Sequence, residues 1–190
     1  MKLRVAALAL ASCTVFAGAA YADNFIPGLY TVINYSGAYP DFKNNNTLLP
    51  GSSTPSFLDG VEADIGWRFN RYYSMEASYS YFTGSKNTPG VPALTTQLQT
   101  ASIDALGYLP FGPRSEWALY GDVGGTGYFL NESTPLVGVH SHRFGWRAGG
   151  GVQFQFNEDL GLRVGARYEA ANLPAMRSAE VFAIGLVWQR

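Results

Sequence analysis

The sequence predicts an all-β protein, an eight-stranded antiparallel up-and-down β-barrel that crosses a membrane. Three observations predict this class. Apolar and polar residues alternate with period two through most of the chain, the connections between these segments are short and long in turn, and aromatic residues gather near the segment ends. The composition agrees, because 22 of the 190 residues are glycine, 15% are aromatic and only 14% are charged.

Composition and charge exclude several other classes. The formal net charge of −1 leaves no basic stripe for a nucleic acid, and the low share of charged residues argues against a disordered chain. A single cysteine excludes a disulfide framework and a cysteine-based zinc site. The mean hydropathy of −0.03 argues against a bundle of membrane-spanning helices. We therefore expect no cofactor, no metal and no nucleic-acid partner.

The N-terminus has the pattern of an export signal. Lys2 and Arg4 form a positive start, and an apolar run follows over residues 5–20. The run ends in Ala-Tyr-Ala at 20–22, the small-x-small pattern that signal peptidase recognises. We expect cleavage before Asp23 and export to the cell outer membrane.

The predicted organisation is a signal peptide over 1–22 and an outer-membrane barrel domain over 23–190. Two alternatives use the same segment. A retained membrane anchor is one, although the apolar run is short for a spanning helix. A lipoprotein cleavage box at residues 10–13 is the other; it would keep Cys13, which signal-peptide cleavage removes.

Period-two alternation places the strands. In residues 60–69, for example, valine, alanine, isoleucine, tryptophan and phenylalanine occupy the odd positions, while glycine and charged residues occupy the even ones. A strand points successive side chains to opposite faces, so each such segment has one apolar and one polar face. Eight strands are predicted, over residues 28–36, 57–69, 72–82, 98–109, 116–129, 143–156, 160–169 and 179–188.

Short and long connections alternate between these strands. The short turns are predicted at 70–71, 110–115 and 157–159, and the long polar loops at 37–56, 83–97, 130–142 and 170–178. Bacterial outer-membrane barrels have an even number of strands, short periplasmic turns and long external loops. We therefore expect the short turns and both termini in the periplasm and the long loops outside the cell.

Aromatic residues near the ends of the apolar face favour a membrane barrel over a soluble one. A soluble barrel of the lipocalin type is the alternative, and it would turn its apolar face inward around a ligand. Two belts of aromatic side chains with aliphatic residues between them fit the two interfaces of a bilayer. The predicted belts comprise Trp67, Tyr73, Tyr79, Tyr81, Trp117, Phe129, Trp146, Phe154, Phe156, Tyr168 and Trp188, with Phe69 and Phe144 beside them.

The polar face is expected to form a charge network inside the barrel. Lipid offers charged groups no partner, so these side chains must point inward and pair. An eight-stranded barrel is only wide enough for side chains, which predicts a plugged, polar interior in which inward glycines leave room for arginine. The predicted network comprises Glu62, Asp64, Arg68, Glu76, Asp104, Asp122, Arg147, Arg163, Arg167 and Glu169, and the glycines are Gly145, Gly149, Gly151, Gly161 and Gly165.

Three glycine-rich segments, 119–128, 149–154 and 159–168, resemble the last barrel hairpins of the OmpA-like transmembrane domain and related small outer-membrane β-barrel proteins. The resemblance implies outer-membrane lipids, lipopolysaccharide and the barrel-assembly machinery as partners, with a host or cell-surface ligand bound through the loops. A monomer is expected. Gly185 and Trp188 fit the assembly signal of such proteins, whereas the terminal Gln189-Arg190 departs from it.

Residues 140–142, His-Ser-His, are the one concentration of histidine in the sequence. Some barrels of this kind are lipid A-modifying enzymes with a His-x-Ser-Asn motif, but here His142 and Arg143 stand where serine and asparagine would be. Ser141 would face away from both histidines in a strand, and a metal held by His140 and His142 would need further ligands. We expect neither catalysis nor metal binding at this segment.

The predicted function is structural or surface-interacting: membrane integrity, lipopolysaccharide contact or adhesion through external loops. A narrow pore for ions or small solutes is the alternative, since a buried Glu–Arg pair can act as a gate in barrels of this family. Such a gate would use Glu62 or Glu76 with Arg147, Arg163 or Arg167, whereas a fixed network would only satisfy a polar core. A lipid A-modifying enzyme is the third alternative.

Overall fold

The computed structural model describes residues 27–43, 55–88, 91–112, 115–133 and 138–189. The predicted signal peptide and its cleavage site lie outside the described residues. None of the described residues forms a helix long and apolar enough to cross a membrane.

Eight antiparallel strands close into a single barrel in which each strand pairs with its neighbours in sequence and the last pairs with the first. This confirms the predicted fold class. The strands are β1 Gly28–Phe42, β2 Leu58–Asn70, β3 Tyr73–Thr88, β4 Val91–Phe111, β5 Trp117–Ser133, β6 Gly138–Gln155, β7 Leu160–Ala170 and β8 Met176–Gln189.

The strands are staggered around the barrel. Partners followed from Asn34 through β2 to β5 lead to Arg143 on β6. Partners followed the other way through β8 and β7 lead to Gln153 on the same strand, ten residues further along. This stagger tilts the strands, and an eight-stranded tilted barrel encloses space for side chains and little more.

The two faces of the sheet lie as the alternation predicts. On β2, Ile65 is 60% exposed on the outside, whereas the neighbouring Asp64 is 3% exposed on the inside. The apolar face is thus turned outward all round the barrel, where hydrocarbon can cover it. A soluble barrel would show the reverse, so the lipocalin-like alternative is wrong.

Short turns join the strands at one end of the barrel, as predicted. Asn70 Oδ1 accepts hydrogen bonds from the backbone amides of Tyr72 and Tyr73, at 2.8 and 3.0 Å. Asn157 Oδ1 accepts hydrogen bonds in the same way from the backbone amides of Asp159 and of Leu160, the first residue of β7, at 2.9 and 2.8 Å. An asparagine that bonds its own backbone two or three residues on is the usual device for so tight a turn.

Several strands are longer at the other end than the sequence predicts. The predicted loop 83–97 is wrong, because β3 runs to Thr88 and β4 begins at Val91. The predicted loop 130–142 is wrong in the same way, since only 134–137 separate β5 from β6. Serine, threonine and glutamine mark these segments as facing water, but their backbones still pair across the hairpins.

Four of these strands form a sheet that continues past the ends of its neighbours. We call residues 84–88, 91–97, 130–133 and 138–145 the extended wall. β6 pairs with β5 from Gly138 but with β7 only from Trp146, and β3 pairs with β2 only as far as Thr83. Among the described residues, segments 84–88 and 138–145 are therefore open strand edges.

Candidate functional site

The interior of the barrel is layered, and an arginine fills the layer at the turn end. Arg68 is fully buried, and its guanidinium carbon lies 5.0 Å from the ring centre of Tyr30 and 4.7 Å from that of Tyr108. Its Nη1 donates to Gln189 Oε1 at 2.9 Å. A cation held between two aromatic faces is stabilised by both rings.

The next layer is built on an ion pair between Arg163 and Glu76. Arg163 Nη1 donates to Glu76 Oε1 at 2.6 Å, and the hydroxyl of Tyr30 donates to the same oxygen at 2.6 Å. Arg163 Nη2 also donates to the Tyr108 hydroxyl at 3.0 Å. The pair is therefore held on several sides by hydrogen bonds, which is what makes a buried ion pair tolerable.

The central layer joins two more arginines to three carboxylates. Arg167 contacts both carboxylate oxygens of Glu62, and its Nε donates to Glu169 Oε1 at 2.8 Å. Arg147 forms a two-point contact with Asp104, at 2.8 and 2.5 Å. With Arg163, these arginines come from two neighbouring strands, β6 and β7.

Glycine does leave space for an arginine at one position. A Cβ at residue 149 would lie 2.4 Å from the Cβ of Arg167, the residue directly opposite on β7. Gly165 instead makes room for a tyrosine, because a Cβ there would lie 2.0 Å from the hydroxyl of Tyr120. Inward glycines therefore serve the aromatic as well as the charged side chains.

Two carboxylates of the predicted network stand apart from the ion pairs. Asp64 Oδ2 accepts a hydrogen bond from Asn34 at 2.9 Å, while its Oδ1 is buried and has no partner in the described part of the chain. Asp64 and Asp122 both line a cavity of about 30 Å³ between the ion pairs.

The structure places all ten residues of the predicted charge network on the inner face of the barrel. Eight of them are buried, and Asp122 and Arg167 are half-buried.

The interior is not polar throughout, which corrects the prediction of a plugged polar interior. Above the charged layers, toward the long connections, the lumen is filled by an apolar cap. The short connection between β7 and β8 contributes Leu173 to it, and Lys43 ties that connection down by donating to the Leu173 carbonyl at 2.8 Å. The cap comprises Ala38, Leu58, Phe82, Leu98, Tyr128, Leu130, Ala171, Leu173, Met176, Ala179 and Val181.

Two apolar residues at inward positions of the sequence pattern indicate the apolar cap. Leu98 and Leu130 fall on the same strand face as the inward polar residues of β4 and β5. They interrupt the polar residues of that face with apolar ones, so the inward faces of β4 and β5 are not polar throughout. An apolar residue at an inward position of a membrane barrel predicts a dry layer of the lumen.

The predicted aromatic belts lie on the outer surface. Of the eleven aromatic residues predicted to form the belts, nine are exposed, and Tyr81 and Phe154 are half-buried. Neighbouring rings touch across strands: Trp117 and Phe154 are 4.5 Å apart at the turn end, and Trp146 and Tyr168 are 5.9 Å apart toward the other end. These centroid distances suit favourable edge and offset contacts.

The His-Ser-His segment lies in β6, on the open edge of the extended wall. His140 and His142 are exposed on the outer face, and Ser141 is half-buried on the other. Neither histidine of this segment therefore faces the serine. Within the described residues no three histidine, cysteine, aspartate or glutamate side chains come together as a metal site.

Comparison of the sequence with protein families identifies the family of this chain. A sequence model of the outer membrane protein beta-barrel domain matches residues 5–189. The chain therefore belongs to the outer membrane β-barrel family, as its glycine-rich hairpins predict, and the family places it in the outer membrane. No curated protein matches the chain.

Three solved structures share the fold at low sequence identity. Neisserial surface protein A is 15% identical with a TM-score of 0.64, and the match covers 86% of this chain and 97% of that one. OprG from Pseudomonas aeruginosa is 12% identical with a TM-score of 0.65, covering 87% and 98%. Ail of Yersinia pestis, in complex with the heparin analogue sucrose octasulfate, is 11% identical with a TM-score of 0.59, covering 86% and 99%.

Proposed function

We propose that this protein is a closed outer-membrane barrel that acts at the cell surface through its extended wall. The observation that carries the proposal is the contrast between a filled lumen and an open, polar sheet. By the rule that short turns of bacterial barrels face the periplasm, the extended wall faces the outside of the cell.

The interior argues against the narrow-pore alternative. The turn-end layer is occupied by Arg68 between two tyrosine rings, and the apolar cap fills the opposite end of the described lumen. Between them the cavity of about 30 Å³ has room for about two water molecules. An ion crossing this barrel would have to displace buried side chains, which are charged and hydrogen-bonded in the middle of the described lumen and apolar in the cap.

The wall has the chemistry of a surface that binds polar groups. Its outer face carries amide and imidazole side chains, among them Gln97, Asn131 and His140 in one cross-strand row. Asn131 Nδ2 donates to Gln97 Oε1 at 3.4 Å, and the imidazole of His140 at the end of the row is exposed to solvent, where it can exchange hydrogen bonds with a ligand. Saccharides and extended peptides use such groups, and the edge of segment 138–145, which pairs with no described strand on that side, adds backbone donors and acceptors.

The partners we propose are lipopolysaccharide and surface ligands of the host or of other cells, with lipids and the assembly machinery as the barrel's general partners. The structure of Ail, which shares the fold, was solved in complex with a heparin analogue. A barrel of this kind can therefore present a saccharide-binding surface. We propose a monomer and no catalytic role, since His140 and His142 face away from Ser141.

The test is to shorten the wall without touching the barrel. Residues 84–96 are replaced by a two-residue Asn-Gly turn, and binding of whole cells to immobilised lipopolysaccharide, heparin and host-cell monolayers is compared with wild type. The matched control replaces 71–72 at the opposite end with the same turn. We expect the first variant to lose binding and the control to keep it, with both barrels assembled. Equal binding by both variants would contradict the proposal.

We also propose that residues 1–22 are the export signal, removed before Asp23. The small-x-small pattern at 20–22 supports this. N-terminal sequencing of the protein from the outer-membrane fraction is expected to read Asp-Asn-Phe. A sequence that starts at Met1 would indicate a retained anchor, and a lipid-modified Cys13 would indicate a lipoprotein.

A further inference from the structure

The cavity between the ion pairs is lined by more negative than positive groups. Its three guanidiniums are already paired: Arg163 with Glu76, Arg147 chiefly with Asp104, and Arg167 with Glu62 and with Glu169, a carboxylate beside the cavity. Two carboxylates remain, Asp64 and Asp122, and among the described residues neither has an arginine within ion-pair distance. The two unpaired acids thus line the same small cavity.

The buried carboxylate of Asp64 lacks a full set of hydrogen-bond and charge partners in this cavity. It is 3% exposed, its Oδ2 accepts a hydrogen bond from the side-chain amide of Asn34 at 2.9 Å, and its Oδ1 has no partner among the described residues. An ionised carboxylate in so dry a place is costly unless a positive charge and hydrogen bonds compensate it. The protein supplies only part of that compensation.

We propose that this cavity binds one small inorganic cation, held by the carboxylates of Asp64 and Asp122 together with water. Hard cations such as Na⁺, Mg²⁺ and Ca²⁺ prefer oxygen ligands, and a divalent ion would match the two unpaired charges. The described residues bring no three acidic side chains together as a complete cage, so water must fill the remaining positions. The volume of about 30 Å³ suffices for an ion and a water but not for an organic cation.

The test refolds the full chain from urea into detergent micelles free of lipopolysaccharide, in choline, sodium, magnesium or calcium chloride at matched ionic strength. The readout is the temperature at which the unboiled, compact form disappears on a gel. For wild type we expect this temperature to be several degrees higher in at least one inorganic salt than in choline chloride. D64N/D122N is expected to show the same temperature in all four salts, because it has no unpaired charge to compensate.

D59N is the matched control. Asp59 lies on the outer surface, where its carboxylate accepts a hydrogen bond from Tyr35 at 2.8 Å, so this variant should keep the cation dependence of wild type. A wild-type midpoint that is equal in all four salts would overturn the proposal, as would the same cation dependence in D64N/D122N. A midpoint that responds to pH but not to the salt would show that protons alone occupy the site, and would overturn it too.

A second measurement needs no variant. Wild type refolded in magnesium or calcium chloride is desalted, and its metal content is determined by mass spectrometry. We expect about one retained ion per barrel in the salt that stabilises it. If D64N/D122N fails to fold, the comparison of wild type across the four salts and this stoichiometry still decide the question, and a barrel without retained ion in a stabilising divalent salt would contradict the site.

Discussion

Arg167 on β7 joins Glu62 on β2 to Glu169 on its own strand, across the lumen of the barrel. Its Nη1 donates to Glu62 Oε1 at 2.7 Å and its Nε to Glu169 Oε1 at 2.8 Å. Because β2 and β7 are not adjacent, this contact braces opposite walls rather than neighbouring strands. The barrel interior is therefore a mechanical part of the fold, and its charges are fixed by one another.

Removing one member of this contact should destabilise the barrel strongly. Arg167→Ala leaves Glu62 buried with a weaker partner, and breaking a buried pair in this way costs about 3–5 kcal/mol. Urea unfolding of the refolded protein, followed by tryptophan fluorescence, measures the loss. The double variant R167M/E62L removes both charges and should recover most of it. Equal stability of wild type and R167A would show that the network is not needed.

Two glycines test the packing inside the barrel, because one lies against a neighbouring side chain and the other does not. A Cβ at residue 66 would lie 2.3 Å from the Tyr30 ring, whereas a Cβ at residue 107 would have nothing within 4 Å. Gly66→Ala should cost about 1–3 kcal/mol through overpacking, while Gly107→Ala should be neutral or slightly stabilising. Unfolding midpoints of the two variants under the same conditions measure the difference, and equal midpoints would contradict the packing described at Tyr30.

The apolar cap should contribute stability that the sequence pattern alone did not suggest. Phe82 is fully buried within it, so Phe82→Ala should cost about 3–5 kcal/mol by leaving a cavity. Phe182 is the matched control, since it lies on the outer surface at 51% exposure, beside the ring of Tyr39, and its truncation leaves no cavity inside the barrel. The loss should appear as a lower temperature for disappearance of the compact form in F82A than in F182A. A larger effect in F182A would place the cap elsewhere.

A filled lumen also predicts electrical silence. Purified protein reconstituted in planar bilayers should give no discrete conductance steps, because Arg68 and the apolar cap occupy the two ends of the described lumen and two cavities between them measure only about 30 Å³ each. Steps that change when Arg163 or Arg167 is replaced would instead support the narrow pore gated by an ion pair.

The alternation of residue types was sufficient to predict the strand number, the outward apolar face and the inward position of groups such as Glu62 and Arg147. It was sufficient because a membrane barrel exposes one face to lipid all along each strand, so the period-two signal is strong. The extended wall was missed because composition reports contact with water and not the end of backbone pairing. The individual ion pairs could not be predicted from the sequence either, because most of the carboxylates and arginines that meet come from strands that are far apart along the chain.

A gel of the purified outer-membrane fraction, run with and without boiling, shows whether the chain forms a closed membrane barrel. We expect to find the protein in this fraction, where the unboiled form migrates as a compact species and shifts on boiling. A protein in the soluble periplasm that shows no shift would contradict the closed membrane barrel and with it the outward assignment of the apolar face.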